Sequence, residues 1–336
     1  MYNAKMIFCA FLFSSIVFAS CGNSTSSVVN PISNIAFYDS VTEIIMSPSE
    51  FGKIENDRTE LGLYGNVKSV KQITYKAIEN FGEIIKGEKE RKSPTTYDYF
   101  SVFNSSGYIV LEEIFNSTFM PAKTINNYNE RNQIISVDCY NLDGSREGKW
   151  ITQYDNFGNL ISEKSFDPDG SLSYQLTYEY NADRKIIRQF ESGSNAFSLH
   201  LSNTFKYDSQ GNEIESIKHE EDGTQPMKWI SKYDSNNNII DKTCFTNRIY
   251  PTSAGDNMIS RGEKLNNGEF AFDSRTTYMY DNKCNIIEEK SLSDNGNSNN
   301  VLTYSYVFDN QNNWISKTES LNGIPQYILE RVLVYF

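Results

Sequence analysis

His200 and His219 are the chain's whole supply of side chains that change charge near neutral pH. Neither has a Gly-x-Ser-x-Gly elbow or a suitably spaced cysteine beside it, so both read as surface or turn-flanking residues. Cys139, Cys244 and Cys284 match no paired C-x-x-C pattern for zinc, their odd number argues against a disulfide framework, and Cys139 and Cys244 read as small, half-buried thiols. Asp167-x-Asp169-Gly170-Ser171 and Asp143-Gly144-Ser145 gather oxygens that suit a hard cation. Both lack the remaining ligands and a closing Glu, and Asp-Gly is equally the ordinary chemistry of a tight turn. Glu220 and Glu221 could serve a hydrolase, because paired acids carry no sequence signature. Trp150 and Trp229, each four residues before a repeated aromatic, form a stripe with Tyr178, Phe205, Tyr278 and Tyr306. That stripe suits packing under a curled sheet or a platform for sugars or a protein partner. The reading is therefore of no catalytic residue, no cofactor and no metal site.

The elements that would position these residues repeat. An aromatic followed by Asp or Asn occurs at Phe103, Tyr128, Tyr154, Tyr180, Tyr207, Tyr233, Tyr280 and Phe308, at intervals of 25 to 28 residues apart from one of 47. With the aromatic as position zero, position four is Gly107, Asn132, Gly158, Arg184, Gly211, Asn237, Cys284 and Asn312. Six of these eight tolerate a left-handed backbone at least cost, which predicts a hairpin turn there. Position seven is always aliphatic, from Val110 to Ile315, and is expected to lie opposite the aromatic. The same register sets Glu179 opposite Arg188, Lys206 opposite Glu215, Lys232 opposite Asp241 and Gln153 opposite Ser162 on the other face. Further turns at Gly144, Gly170, Gly223 and Gly296 close the units. The predicted fold is all-β: an antiparallel meander of about 26-residue two-strand repeats forming one elongated, twisted or spiralling sheet.

The motif Tyr-Asp-x-x-Gly-Asn-x-Ile, best preserved at residues 154–161 and 207–214, resembles the YD repeat of the RHS family, and the whole is similar to small YD-type envelope lipoproteins of Bacteroidota-like bacteria. The eight units occupy residues 101–336, with an insertion at about 245–270. Residues 35–100 read as an atypical N-terminal cap, with strands near residues 67–76 and 95–103 and a short helix near 42–46. At the start, Lys5, an apolar stretch and Phe18-Ala19-Ser20-Cys21 resemble a lipoprotein signal peptide, residues 1–21, with Cys21 as the lipidation site. Residues 22–34 read as a flexible tether. The expected location is the bacterial cell envelope, at the outer membrane through the lipid anchor, with either face open.

A formal net charge of −12 makes nucleic acid an unfavourable partner, since binding there depends on neutralising phosphates with Lys and Arg. The expected function is a non-catalytic binding or structural module engaging an envelope protein or glycan. The alternatives are a glycan hydrolase and a remnant of an RHS-type toxin carrier.

Overall fold

The computed structural model describes residues 56–90, 98–115, 120–193, 199–219, 227–246, 270–293 and 300–336. The signal peptide with Cys21, the tether, the helix expected near 42–46, Glu220, Glu221, Gly223, Gly296 and nearly all of the 245–270 insertion lie outside them. A one-turn helix, α1 (Asp57–Glu60), precedes β1 (Val67–Asn80), β2 (Glu83–Lys89), β3 (Asp98–Phe103), β4 (Ile109–Phe115), β5 (Lys123–Tyr128) and β6 (Ile134–Tyr140). There follow β7 (Arg146–Tyr154), β8 (Leu160–Phe166), β9 (Leu172–Tyr180), β10 (Ile186–Gly193), β11 (His200–Tyr207), β12 (Glu213–Lys218) and β13 (Met227–Tyr233). The chain ends with β14 (Ile239–Thr246), β15 (Ala271–Tyr280), β16 (Ile286–Ser293), β17 (Asn300–Phe308), β18 (Trp314–Leu321) and β19 (Ile324–Tyr335).

From β3 to β19 every strand pairs antiparallel with the next, and β1 then pairs with both β19 and β3. Eighteen strands thus close into a barrel, and β2 is an extra strand hydrogen-bonded to the far end of β1. This corrects the expected open, elongated or spiralling sheet: the two ends of the array are joined through β1. Alternation along a strand is the same in an open and a closed sheet, so the repeat itself could not show the closure.

Each Asp-x-x-Gly-Asn loop is built by its first residue. In the loop after β7, the Asp155 carboxylate accepts from the backbone N–H of Phe157 at 2.9 Å and of Asn159 at 2.8 Å, and its second oxygen accepts from Asn159 Nδ2 at 2.8 Å. Asp208, Asp234 and Asp281 repeat the pattern. All eight position-four residues have positive φ, from 57° at Asn132 to 88° at Gly107 and Gly158, including Arg184 and Cys284.

The pairing of the residue before the aromatic with position eight holds: Gln153 faces Ser162, Glu179 faces Arg188, Lys206 faces Glu215 and Lys232 faces Asp241. The aromatic, however, faces position six, as Tyr154 faces Leu160 and Tyr233 faces Ile239. Position seven is the extra residue of a β-bulge in every unit. The expected pairing of the aromatic with position seven is therefore absent, position six taking that place, and Ile135 and Ile161 each keep 41% exposure.

The bulge gives the repeated tyrosine its task. Tyr154 donates its hydroxyl to the carbonyl of Ile134 at 2.9 Å, Tyr180 to Leu160 at 2.7 Å, Tyr207 to Ile186 at 2.8 Å, Tyr233 to Glu213 at 2.8 Å and Tyr280 to Ile239 at 2.7 Å. Each accepting carbonyl belongs to position six of the preceding unit, so the hydroxyls stitch hairpin to hairpin around the wall. Where the eighth unit has Phe308, Tyr306 donates to Ile286 instead, at 2.6 Å. Phe103 has no preceding unit to reach, and its ring lies buried under the Arg58 guanidinium, 5.8 Å away.

Apolar core is concentrated where β1 closes the barrel: Leu63, Val67, Val70, Tyr99, Phe103 and Ile114 pack together. The segment 56–66 seals this region at the end that carries the Asp-x-x-Gly-Asn loops. Arg58 donates to the carbonyls of Gly65 and Asn104 at 3.2 and 3.0 Å. Asn313 receives the Tyr64 N–H at 2.6 Å and donates to the Tyr64 carbonyl at 3.0 Å.

Candidate functional site

Alternation divides the strand residues into two walls. One carries Lys206 and Lys228 on Glu215, both at 2.7 Å, Lys232 and Arg275 on Asp241 at 3.4 and 2.8 Å, Arg188 on Glu179 at 3.1 Å and Arg146 on Asp138 at 2.7 Å. These cations splay into solvent, Lys206 to 70% and Lys232 to 67% side-chain exposure. The other wall carries the large aromatics and the desolvated charges, crowded as side chains are where a closed sheet curves inward. The first is the outer wall and the second the inner one. A barrel of this strand number encloses more space than side chains fill. Most inward residues between β7 and β17 accordingly keep partial exposure, and only a few, such as Leu176 at 2%, are sealed.

All six residues of the expected stripe stand on the inner wall, by register. Trp150 lies opposite Val137 and Ser165, and its ring meets Tyr174 edge-on at 6.1 Å. Phe205 and Trp229 flank Ser216, one on each side. Tyr178 faces Gln189, Tyr278 faces Glu289 and Tyr306 faces Lys317. The stripe is thus spread round the wall, and the two tryptophans belong to separate places on it.

Sequence reasoning missed the charges between these rings. Positions nine and eleven of the units point inward and supply Glu112, Glu163, Glu191, Glu289 and Glu319 with Lys218, Lys242 and Lys317. Counting two and four residues on from position seven would have found them, given the inward register of the aromatic. Tyr178 donates to Glu163, Tyr174 to Glu191 at 2.6 Å and Tyr304 to Glu289 at 2.9 Å. Burial pushes the Glu163 carboxyl above its ordinary range, against the opposing Tyr178 hydrogen bond. Burial likewise raises Glu112, against a hydrogen bond from Ser101, and Glu319, against the charge of Lys317. Lys317 is pushed down by the same desolvation.

The other candidates take structural places. His200 Nε2 lies 3.3 Å from Glu191, while His219 Nε2 lies 3.2 Å from the Thr204 hydroxyl and is pushed down by burial. Cys139 and Cys244 are buried. Asp169 accepts from the Ser171 N–H at 2.9 Å and hydroxyl at 2.6 Å, and Asp143 does the same with Ser145, so both carboxylates close their own turns.

Comparison with known proteins adds little to this geometry. Residues 201–244 match a family described as a protein of unknown function (DUF2963). No curated protein matches the chain. Among solved structures, a porin-like protein from Bacteroides uniformis ATCC 8492 is 14% identical, with 81% of this chain and 98% of that one covered at a TM-score of 0.32. A porin-like protein from Bacteroides vulgatus ATCC 8482 is 10% identical, covering 81% and 99% at 0.29. The structure titled TcdB2-TccC3-Cdc42 is 10% identical at 0.32, with 71% of this chain matched to 12% of that one. At these scores the likenesses decide nothing about this chain's architecture or activity, which rest on its own register and contacts.

Proposed function

We propose that the protein is a non-catalytic glycan-binding module of the bacterial envelope, taking its ligand against the inner wall of the barrel. The observation that carries the reading is that ring faces and carboxylates share one wet, inward surface. Aromatic faces give sugars contact area at little entropic cost, and carboxylates accept from their hydroxyls. A slender, extended ligand enters such a lumen, whereas a folded protein partner would be held to the rims. The YD-type motif, the lipobox at Cys21 and a place at the outer membrane belong to the same proposal. The charged outer wall supports tethering over spanning, because a strand face turned to lipid must be apolar.

The test is calorimetry and tryptophan fluorescence with soluble oligosaccharides. Saturable binding without turnover is expected, weakened about 2- to 12-fold by Trp229→Leu, the worth of one stacked ring. Binding that survives Trp229→Leu but is lost on Lys206→Ala would place the ligand on the outer wall and refute the reading. Glycan turnover abolished by Glu163→Gln would favour a hydrolase instead, with Glu163, whose carboxyl burial raises, as the acid.

A further inference from the structure

Lys317 projects into the lumen from β18, deeply set yet still touching water. Its ammonium stands over the faces of Tyr304 and Trp314, 5.0 and 5.6 Å from their centroids. Among the described residues it has no hydrogen-bond acceptor and no carboxylate within 4.0 Å. Glu319, two residues along the same strand and on the same wall, is 6% exposed and likewise has no hydrogen bond or ion pair among the described residues. Arg331 shares the ring of Trp314 from 3.6 Å, and its own hydrogen bonds all go to neutral oxygens: Gln72 at 3.3 Å, Leu61 at 3.2 Å and Tyr99 at 3.0 Å. Glu289, the remaining charge that faces this place, is engaged by Tyr304.

Two cations are thus withdrawn from water beside one tryptophan, and among the described residues neither has a carboxylate in direct contact, Glu319 and Glu289 acting on Lys317 only from beyond 4.0 Å. An unpaired charge held in such a place is costly, and the cost falls when a ligand brings the missing partner. An internal Lys317–Glu319 bridge is the obvious alternative for a long lysine side chain, but no such pair closes within 4.0 Å, and the ammonium stands over the two rings instead. The two groups share one wall without a direct partner among the described residues.

We infer that Lys317, Glu319, Tyr304 and Trp314 form a subsite for an acidic sugar, one carrying a carboxylate. The sugar's carboxylate takes the Lys317 ammonium, a hydroxyl donates to Glu319, and the ring lies against Tyr304 or Trp314. The inference rests on the glycan-binding reading and adds the substrate class.

The experiment compares trigalacturonate with galactotriose by calorimetry on the wild-type protein and Lys317→Met. The expected result is a preference of about tenfold or more for trigalacturonate, the worth of one charge-assisted hydrogen bond. Lys317→Met should abolish that preference, weakening trigalacturonate more than galactotriose. Without ligand, Lys317→Met should melt no lower than wild type, since an unpaired buried cation is removed. Equal binding of the two trisaccharides, or a preference that survives Lys317→Met, overturns the subsite and leaves the lumen reading standing. If neither trisaccharide binds, the lumen reading fails, and sulfate decides the subsite separately. Exchanged for chloride at constant ionic strength, sulfate should raise the melting midpoint of wild type more than that of Lys317→Met. Equal shifts overturn the subsite.

Discussion

The bulge in each hairpin makes the register testable by one hydroxyl. Tyr207 is half-buried, its ring paired across the strands with Glu213, and its hydroxyl donates to the Ile186 carbonyl at 2.8 Å. Tyr207→Phe keeps the ring and removes only this bond. A typical intramolecular hydrogen bond is worth about 1 kcal/mol net, and a carbonyl left without its donor can add to that. Because both groups keep some contact with water, about 1 kcal/mol is expected. It would be read as a lowered urea midpoint at unchanged slope. Tyr207 and Ile214 do not face each other, so a double-mutant cycle through Tyr207→Ala and Ile214→Ala should give coupling below about 0.3 kcal/mol, less than a direct cross-strand pair. Lys206 and Glu215 do face each other, at 2.7 Å, and their coupling should lie in the exposed-pair range of about 0.2–1 kcal/mol. Coupling near 1 kcal/mol between Tyr207 and Ile214, together with no cost for Tyr207→Phe, would refute the bulged register and restore a simple aromatic–aliphatic pair.

Stability should be greatest in mildly acidic solution. Glu112, Glu163 and Glu319 are raised above 4.5 by burial, so the stability from their protonation is present at low pH and is lost as pH rises through their folded values. Asp208 is lowered below 3.8 by its hydrogen bonds from Asn212, so its contribution is lost as pH falls. The urea midpoint should therefore rise as pH falls through the folded values of these glutamates and fall again as Asp208 is protonated, and Glu163→Gln should flatten the first limb. Gly211→Ala should destabilise by about 1–2 kcal/mol on denaturant titration, because φ is 87° and the new methyl would lie 3.0 Å from Lys185. Cys21→Ala should abolish acyl labelling and release the protein into the soluble envelope fraction without detergent. Continued membrane association would count against both the anchor and the water-facing outer wall.

What the sequence made legible follows from local chemistry. Gly and Asn at position four announce a left-handed residue, and once six units fix the loop, Arg184 and Cys284 must adopt the same φ at 59° and 61°. Opposite charges at Glu179 and Arg188 set the outer register, because a wrong slip would place like charges together or strand them. The bulge was not legible. Position seven is as aliphatic as a core residue, and only the tyrosine hydroxyl's need for a carbonyl at position six distinguishes the two registers. Glu163 and Lys317 were missed although position nine shares the aromatic's wall in either register, because charged residues read as out of place on a face taken to be apolar. The segment 56–66 carries no repeat, and its role depends on Asn313 and Arg331, more than two hundred residues away in sequence.

Closure is what gives the N-terminal segment its sequence. Both walls of the array carry charge, so the hairpins bury little apolar surface of their own, and the larger apolar cluster lies where β1 joins β3 and β19. Val67 and Val70 are completely buried there, with Leu329 at 1% exposure on β19. The array's two phenylalanines at position zero mark the same place. Phe103 opens the array and exchanges a hydroxyl for burial under Arg58, while Phe308 closes it and leaves the stitch to Tyr306. Arg331 then ties the seam together, holding β1 through Gln72, β3 through Tyr99, the rim segment through Leu61 and β18 through Trp314. An open array would leave that guanidinium without most of these partners and the β1 valines without a cover. The repeat specifies the wall, and these non-repeated residues specify that the wall is a ring.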